Sequence, residues 1–423
     1  MTTTPITTAA TLPDATSTSR TRAFQIAWGL AMCFYFLEYA ARSAPAVMIP
    51  ELTQALGTTA VGVSAILGTY YYTYSVTSLI AGAALDRVGG KKAVPIGMFI
   101  LAVGCLLFGI STASAGYAGR LLQGAGSAFA FTGAVYLAVH GFSARWLATA
   151  IGVTQCVGML GGSAGQFVVG PLLEGGVAWQ TVWHWLGIAT LVVGVLLFLI
   201  APSETRSGAG PSGRTSLLAP YKTVFSNPQS YLCGAVAGLL FVPTTIGDMT
   251  WGVAFFQRDR MFSFHQSVVT GSLIPLGWVV GCPLLGWLTD RVGRRKPVLI
   301  AGAIGMLLSA ALISFTTSHE ATVVGCFLFG VFSGAAMIPY TIIKEVNPDE
   351  VKGSATGGIN FLTFGVTALI GPIFADAFGK GIAATHNHVA HFRHSGVFWM
   401  VTIILAILLS SFLRETGRER KAA

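Results

Sequence analysis

The amino-acid sequence predicts an all-α membrane protein in which twelve transmembrane helices form two six-helix, pseudo-symmetric bundles. Three observations carry this. Of 423 residues, 53% are hydrophobic and 10% are charged, and the mean hydropathy is +0.69, whereas roughly a quarter of the residues of a soluble domain are charged. Twelve segments approach the ~20 apolar residues that a spanning helix needs, at 25–50, 61–84, 93–112, 116–140, 146–172, 180–201, 230–256, 266–289, 297–317, 320–343, 354–379 and 396–413. Finally, a short charged loop occurs twice, as Gly82-Ala-Ala-Leu-Asp86-Arg87-Val-Gly89-Gly90-Lys91-Lys92 and as Gly286-Trp-Leu-Thr-Asp290-Arg291-Val-Gly293-Arg294-Arg295-Lys296, 204 residues apart.

Residues 1–24 are rich in Thr and Ala without an apolar core and read as a disordered cytoplasmic tail, not a secretory signal. The N-terminal bundle is expected over 25–201, a cytoplasmic linker rich in Pro, Ser and Gly over 202–229, the C-terminal bundle over 230–413, and a basic tail over 414–423. With the N-terminus cytoplasmic, 19 of the 25 Lys and Arg residues fall on that side, and Arg258, Arg260, Lys380 and Arg393 fall on the other. Arg42 and Arg120 remain in the membrane. By the positive-inside rule both termini are therefore cytoplasmic, in a plasma membrane of the bacterial inner-membrane kind. The net charge of +9 is then a topology signal and implies no nucleic acid. All six cysteines lie in apolar runs, so neither a disulfide framework nor a zinc site is indicated.

An ionisable group at mid-membrane costs about 2.5–3.5 kcal/mol on insertion scales and calls for a reason. Segment 1 reads Tyr35-Phe-Leu-Glu38-Tyr-Ala-Ala-Arg42-Ser-Ala-Pro45, and its i, i+3 and i+7 spacing places Tyr35, Glu38 and Arg42 on one helix face. An intrahelical Glu38–Arg42 ion pair with a purely structural role is the plainer reading. Segment 2 offers Tyr70-Tyr-Tyr72-Thr-Tyr74, with Tyr70 and Tyr74 sharing a face towards a cavity and Tyr71 assigned to packing. Segment 4 begins Arg120-Leu-Leu-Gln123-Gly124-Ala-Gly126-Ser127, with Arg120 and Gln123 on one face. Two guanidiniums beside tyrosines suit an anion, which they grip through forked hydrogen bonds.

Gly158-Met-Leu-Gly161-Gly162-Ser-Ala-Gly165 in segment 5 supplies small residues for close helix packing. Segment 7 carries Asp248, expected at the depth of Arg42 and able to pair with it. Trp251, Trp278, Tyr340 and Asn360 are further candidates for a cavity wall. His386, His388, His391 and His394 before segment 12 read as a solvated loop and not as a metal site. The phosphate-binding pattern Gly-x-x-x-x-Gly-Lys-Ser/Thr does not occur, and no cofactor is implied.

The duplicated loop resembles the cytoplasmic signature of the major facilitator superfamily, Gly-x-Leu-x-Asp-Arg-x-Gly-Arg-Arg/Lys. The second copy matches it throughout, and the first departs at Ala84 and Gly90. Arg120 to Gly126 matches the family's Arg-x-x-Gln-Gly-x-Gly. The resemblance spans Phe24 to Leu413 and implies two parallel six-helix repeats that rock around a central site. It makes Gly82, Asp86, Arg87, Gly89, Gly286, Asp290, Arg291 and Gly293 a conformational latch. The glycines would allow close backbone approach, and the aspartates would cap a helix or pair with a cation across the interface between the halves. Arg294, Arg295 and Lys296 are read as positive-inside charges.

Segment 1 is also similar to that of the superfamily's organic anion symporters, Tyr-x-Asp-Arg and a small polar residue, here Tyr39-Ala40-Ala41-Arg42-Ser43. Ala41 replaces the acid, and Ser127 stands where those symporters carry a glutamate, so any proton coupling is expected to use Glu38 or Asp248 instead. The resulting expectation is secondary-active uptake of a small organic anion, carboxylate or sulfonate, by symport with H⁺ or another cation. The carrier would be a monomer in the lipid bilayer, with Arg42, Arg120, Tyr70, Tyr74, Tyr35 and Gln123 at the substrate. Alternatives are an amino-acid or other zwitterion carrier, proton-coupled efflux of drugs or organic cations, and a membrane sensor. No nucleophile, base and oxyanion arrangement points to an enzyme.

Overall fold

The computed structural model describes residues 15–203, 219–381 and 387–417. Its long helices are α1 (Ala15–Ser43), α2 (Ala60–Val88), α3 (Gly90–Phe108), α4 (Ala113–Gly141), α5 (Ala144–Phe167) and α6 (Trp179–Ile200), followed by α7 (Pro228–Val242), α8 (Phe264–Val292), α9 (Lys296–Phe315), α10 (His319–Ser333), α11 (Lys352–Phe374) and α12 (His388–Ser410). Ten helical segments, from α3 onwards, are long and apolar enough to cross a bilayer. Two more, α1 and α2, have the length, at 29 residues each, but bring Glu38, Arg42 and a run of Tyr and Thr into the interior. The twelve sequence segments thus each find a helix.

Polar side chains mark where the chain enters. Thr59, Thr112, Ser263, Ser318 and Asn387 accept the first-turn amides of α2, α4, α8, α10 and α12, each worth about 1 kcal/mol. These five caps lie at the end of the bundle opposite the duplicated loops, called here the far end, while Asn227 caps α7 at the loops' own end.

The first helix begins earlier than expected. Residues 15–24, assigned above to a disordered tail, extend α1 by several turns, while residues 1–14 lie outside the described residues. Past Ser43, α1 gives way to a 3₁₀ turn (Ala44–Val47) and a short helix (Ile49–Ala55). α7 is interrupted too: Pro243 opens a π-turn (Pro243–Asp248), and helix resumes over Gly252–Asp259. Of the linker, Ala219–Ser226 is helical, and Tyr221 donates to the Leu79 carbonyl at 2.8 Å.

Close backbone approach holds each half together. A Cβ on Gly161 would sit 2.1 Å from the Phe36 carbonyl, and one on Gly158 would sit 2.4 Å from the Tyr35 ring. The small residues of α5 therefore seat α1, as their spacing predicts. The halves meet along two seams. Between α2 and α11, Ser75 donates to the Phe361 carbonyl at 2.7 Å, and Tyr71, expected only to pack, donates to the Thr245 carbonyl of the α7 π-turn at 3.3 Å. Between α5 and α8, Ser163 donates to the Ser272 carbonyl at 2.9 Å and Cys156 to the Val279 carbonyl at 3.3 Å.

Candidate functional site

The buried charges of α1 fall at the centre of the molecule. Glu38 is fully buried and Arg42 is 2% exposed. They form the intrahelical ion pair that their four-residue spacing allows, with Arg42 Nε 3.1 Å from Glu38 Oε1. Tyr70 of α2 locks it: its Oη accepts from Arg42 Nε at 3.2 Å and Nη2 at 3.0 Å and donates to Glu38. The guanidinium also lies 4.3 Å from the Tyr39 ring centroid, 5.0 Å from Tyr74 and 5.0 Å from Phe364. Phe364 belongs to α11, so this aromatic cage is completed by the other half. Glu38 Oε2 and Arg42 Nη1 are buried without a hydrogen-bond partner.

Arg120 also lies against Tyr70, with its guanidinium 4.8 Å from the ring. It donates to the Ala41 carbonyl at 3.2 Å and to Gln123 Oε1 at 2.7 Å, and Gln123 in turn donates to the Gly104 carbonyl. Among the described residues no carboxylate lies within ion-pair distance of Arg120, and its Nε is unpartnered. The centre therefore holds two guanidiniums and one carboxylate. Tyr35 donates to Gln155 at 3.1 Å and, with Tyr39, Tyr74, Tyr340 and Asn360, lines a central space of about 10 Å³. Tyr340 donates to Asn360 at 2.8 Å. Such a space holds no more than one water, so the halves are closed on one another here.

Asp248 does not meet Arg42. It is 2% exposed, accepts from Gln166 Nε2 at 3.4 Å, and has no cation within 4 Å among the described residues. The expected pair fails because Arg42 is already held by Glu38 on its own helix, while the π-turn aims Asp248 at α5 and α8. Trp278, a candidate wall residue, instead donates to Thr244 at 3.1 Å.

The second duplicated loop is braced within its own half. Arg295 pairs with Asp290 at 2.7 Å and with Glu345 at 3.0 Å, and the Arg295 and Lys296 amides donate to Glu415 at 2.6 and 3.3 Å. Partial burial raises the Glu415 carboxyl, and the Arg295, Gly417 and Lys296 amides with Arg294 outweigh it, leaving Glu415 below the usual range. Asp290 thus binds inside the loop and not across the interface, and Arg295 is a structural bridge instead of a generic positive charge. Arg291 stacks on Trp287, 5.1 Å from its ring. Gly89 and Gly293 take positive φ, 75° and 71°, to turn α2 into α3 and α8 into α9. A Cβ on Gly286 would meet nothing within 4 Å, so close approach is not its role, and one on Gly82 would only touch Tyr221. The Asp86 side chain lies outside the described residues, and Arg87 is exposed.

The histidines differ from a solvated loop. His391 is buried, with Nδ1 2.5 Å from Asp259 Oδ2 and Nε2 2.9 Å from the Phe378 carbonyl, and His388 lies 3.6 Å from Asp259. His394 is exposed, and His386 lies outside the described residues. No cluster of three metal-ligating residues forms among the described residues.

Sequence reasoning missed Gln155, Gln166 and Phe364, and gave Tyr39 a place in the segment 1 pattern but none in the site. Uncharged groups in an apolar helix carry no penalty large enough to announce themselves, and only Tyr39, four residues from Tyr35 on α1, had a positional signal.

Two helical bundles closed around buried charges, in a chain this apolar, define a multi-pass membrane transporter. The Major Facilitator Superfamily profile matches residues 31–372 and 268–423, and the chain belongs to that family. It is 24% identical to a probable sulfoacetate transporter of Cupriavidus necator, over 93% of this chain and 95% of that one. It is also 24% identical to a citrate-proton symporter of Klebsiella pneumoniae, over 68% and 69%. A solved bacterial homologue of the human lysosomal transporter Spinster superposes with a TM-score of 0.72 at 16% identity, covering 95% of this chain and 99% of that one. The family and these relatives are transporters, not enzymes.

Proposed function

We propose that this protein takes up a small organic anion, a carboxylate or sulfonate, by symport with H⁺ or another cation. One observation carries the reading: a second buried guanidinium, Arg120, stands beside the Arg42–Glu38 pair with no carboxylate of its own among the described residues. That excess positive charge in a membrane interior is stabilised when an anion enters. The relatives named for sulfoacetate and citrate support the same substrate class.

In this reading the closed halves, roughly 25–201 and 230–413, rock apart to admit the substrate. Its anionic head then takes the fork of Arg42 that Glu38 occupies in the empty carrier, since one guanidinium edge serves one anion at a time. Tyr70, Tyr74, Tyr35 and Gln123 orient it, Arg120 supplies the balancing charge, and Glu38 and Asp248 are the groups available for coupling. The duplicated loops, including Asp86, Arg87, Asp290 and Arg291, steady one orientation from the cytoplasmic face. The protein acts as a monomer in the bacterial inner membrane with both termini inside. The unpartnered Glu38 Oε2 favours, as a second reading, a zwitterion whose ammonium it accepts.

Uptake of labelled aliphatic carboxylates and sulfonates into proteoliposomes under an imposed pH gradient tests this. Accumulation is expected for at least one member of the class, and Asp248→Asn is expected to keep counterflow exchange while losing accumulation. Absence of flux for every such anion overturns the assignment.

A further inference from the structure

Asp248 and Gln166 leave an unbalanced account of donors and acceptors between the two halves. Gln166, on α5, is fully buried, as is nearly all of Asp248, in the π-turn after α7. The amide nitrogen of Gln166 faces Asp248 Oδ2 at 3.4 Å. The two remaining oxygens, Asp248 Oδ1 and Gln166 Oε1, are buried acceptors without any donor. Both point into one gap on α8, where a Cβ on Gly271 would lie 2.6 Å from Gln166 Oε1 and 3.1 Å from Asp248 Oδ1. Gly252 bounds the gap on the α7 side, 2.9 Å from Oδ1 by the same construction. The absence of side chains at these two glycines keeps the space between the oxygens clear.

Among the described residues no cation lies within ion-pair distance of Asp248. On the walls of the adjoining cavity of about 80 Å³, Ser314 and Ser395 already donate to the Ala310 and Phe392 carbonyls, and the rest of the lining beside Asp248 is aromatic, aliphatic or Gly. The titratable group facing Asp248 from α10 is the Cys326 thiol, while α5, α8 and α12 present Gln166, Gly271 and Trp399. An ionised carboxylate held this way, with one long amide contact and no cation, is penalised by several kcal/mol. A group that satisfies both orphaned acceptors at once must be a donor or a cation. Hard metal cations seek about six or more oxygens, and a water would satisfy the oxygens but leave the buried carboxylate charged, whereas a proton bridges the two oxygens and removes the charge.

We infer that Asp248 and Gln166 share a proton across the interface between the halves. The proton forms the Oδ1–H bond, which donates to Gln166 Oε1, while Gln166 Nε2 donates to Oδ2, closing a cyclic acid–amide pair. This rests on the transporter reading for its purpose and makes Gln166 the positioning residue of the coupling site. Because one partner belongs to each half, the pair exists only while the far end is shut. Taking up the proton from water therefore favours closure, and parting the halves strips the acid of its amide.

Infrared difference spectroscopy on the full-length protein in lipid tests this without any substrate. At neutral pH the wild type is expected to show the C=O stretch of a hydrogen-bonded neutral carboxylic acid, unchanged when sodium replaces choline as the buffer cation. Asp248→Asn should lose that band, and Gln166→Leu should move it to the higher frequency of an acid without hydrogen bonds. If Asp248→Asn does not fold, ¹³C labelling of the aspartates in wild type makes the same assignment through the isotope shift. A band absent at neutral pH, one indifferent to Gln166→Leu, or one that sodium abolishes overturns the shared proton. None of these three outcomes bears on whether anions are carried, and failure of anion uptake leaves the band where it is.

Discussion

The two halves share a frame and differ in what they bury inside it. On α4, a Cβ on Gly124 would lie 2.1 Å from the Tyr70 carbonyl of α2, and on α10 one on Gly330 would lie 2.0 Å from the Ile274 carbonyl of α8. Tyr70 and Ile274 are separated by 204 residues, the interval between the duplicated loops. Four residues before each glycine stands Arg120 in one half and Cys326 in the other. Arg42 stands in the last turn of α1, and Asp248 closes the π-turn that follows α7. The helix crossing has been kept while Arg, Tyr and Arg face Asp, Ile and Cys across the molecule. Backbone contact fixes the bundle, and the inward side chains are free to take separate tasks.

The contrast is broken most sharply at Arg42. Arg42→Lys keeps the charge but loses the fork, and anion uptake in proteoliposomes should fall about 100-fold, the upper range for hydrogen bonds to charged groups; near-normal uptake would remove Arg42 from the substrate site. The shared frame is tested next. Gly124→Ala and Gly330→Ala should each lower stability by about 3 kcal/mol, because each methyl meets a backbone carbonyl that cannot move aside. Matching drops in thermal midpoint are expected, and tolerance of one but not the other would show that the crossings are not equivalent.

Tyr70→Phe should weaken apparent substrate affinity about 10-fold by freeing Arg42 and Glu38 from their common partner, whereas Ile274→Leu should leave transport unchanged. The smallest effect belongs to Glu415. Its carboxyl is held below the ordinary range, so its contribution is complete above pH ~4.5 and is lost as pH falls through the depressed value. The thermal midpoint of Glu415→Gln should lie below that of wild type at pH 6, and the gap should close under stronger acid.

The fold was legible because hydrophobic length and a repeated loop are long-range signals that survive local uncertainty. The Glu38–Arg42–Tyr70 centre was legible for a different reason: a charge in an apolar helix is costly enough to stand out, and a spacing of four names its neighbour. What remained hidden depends on tertiary packing. No pattern along α5 marks Gln166, and no pattern along α11 marks Phe364 as the wall of a cage built on α1. The partners of the second duplicated loop were hidden for the same reason, since Asp290 faces Arg295 five residues away, and the brace from Glu415 comes from a segment beyond α12.

The central space of about 10 Å³ also bears on what the protein does when idle. A single water cannot form a file, so this space offers no chain of waters in this conformation. At its middle the closed protein is then a plug and not a pore.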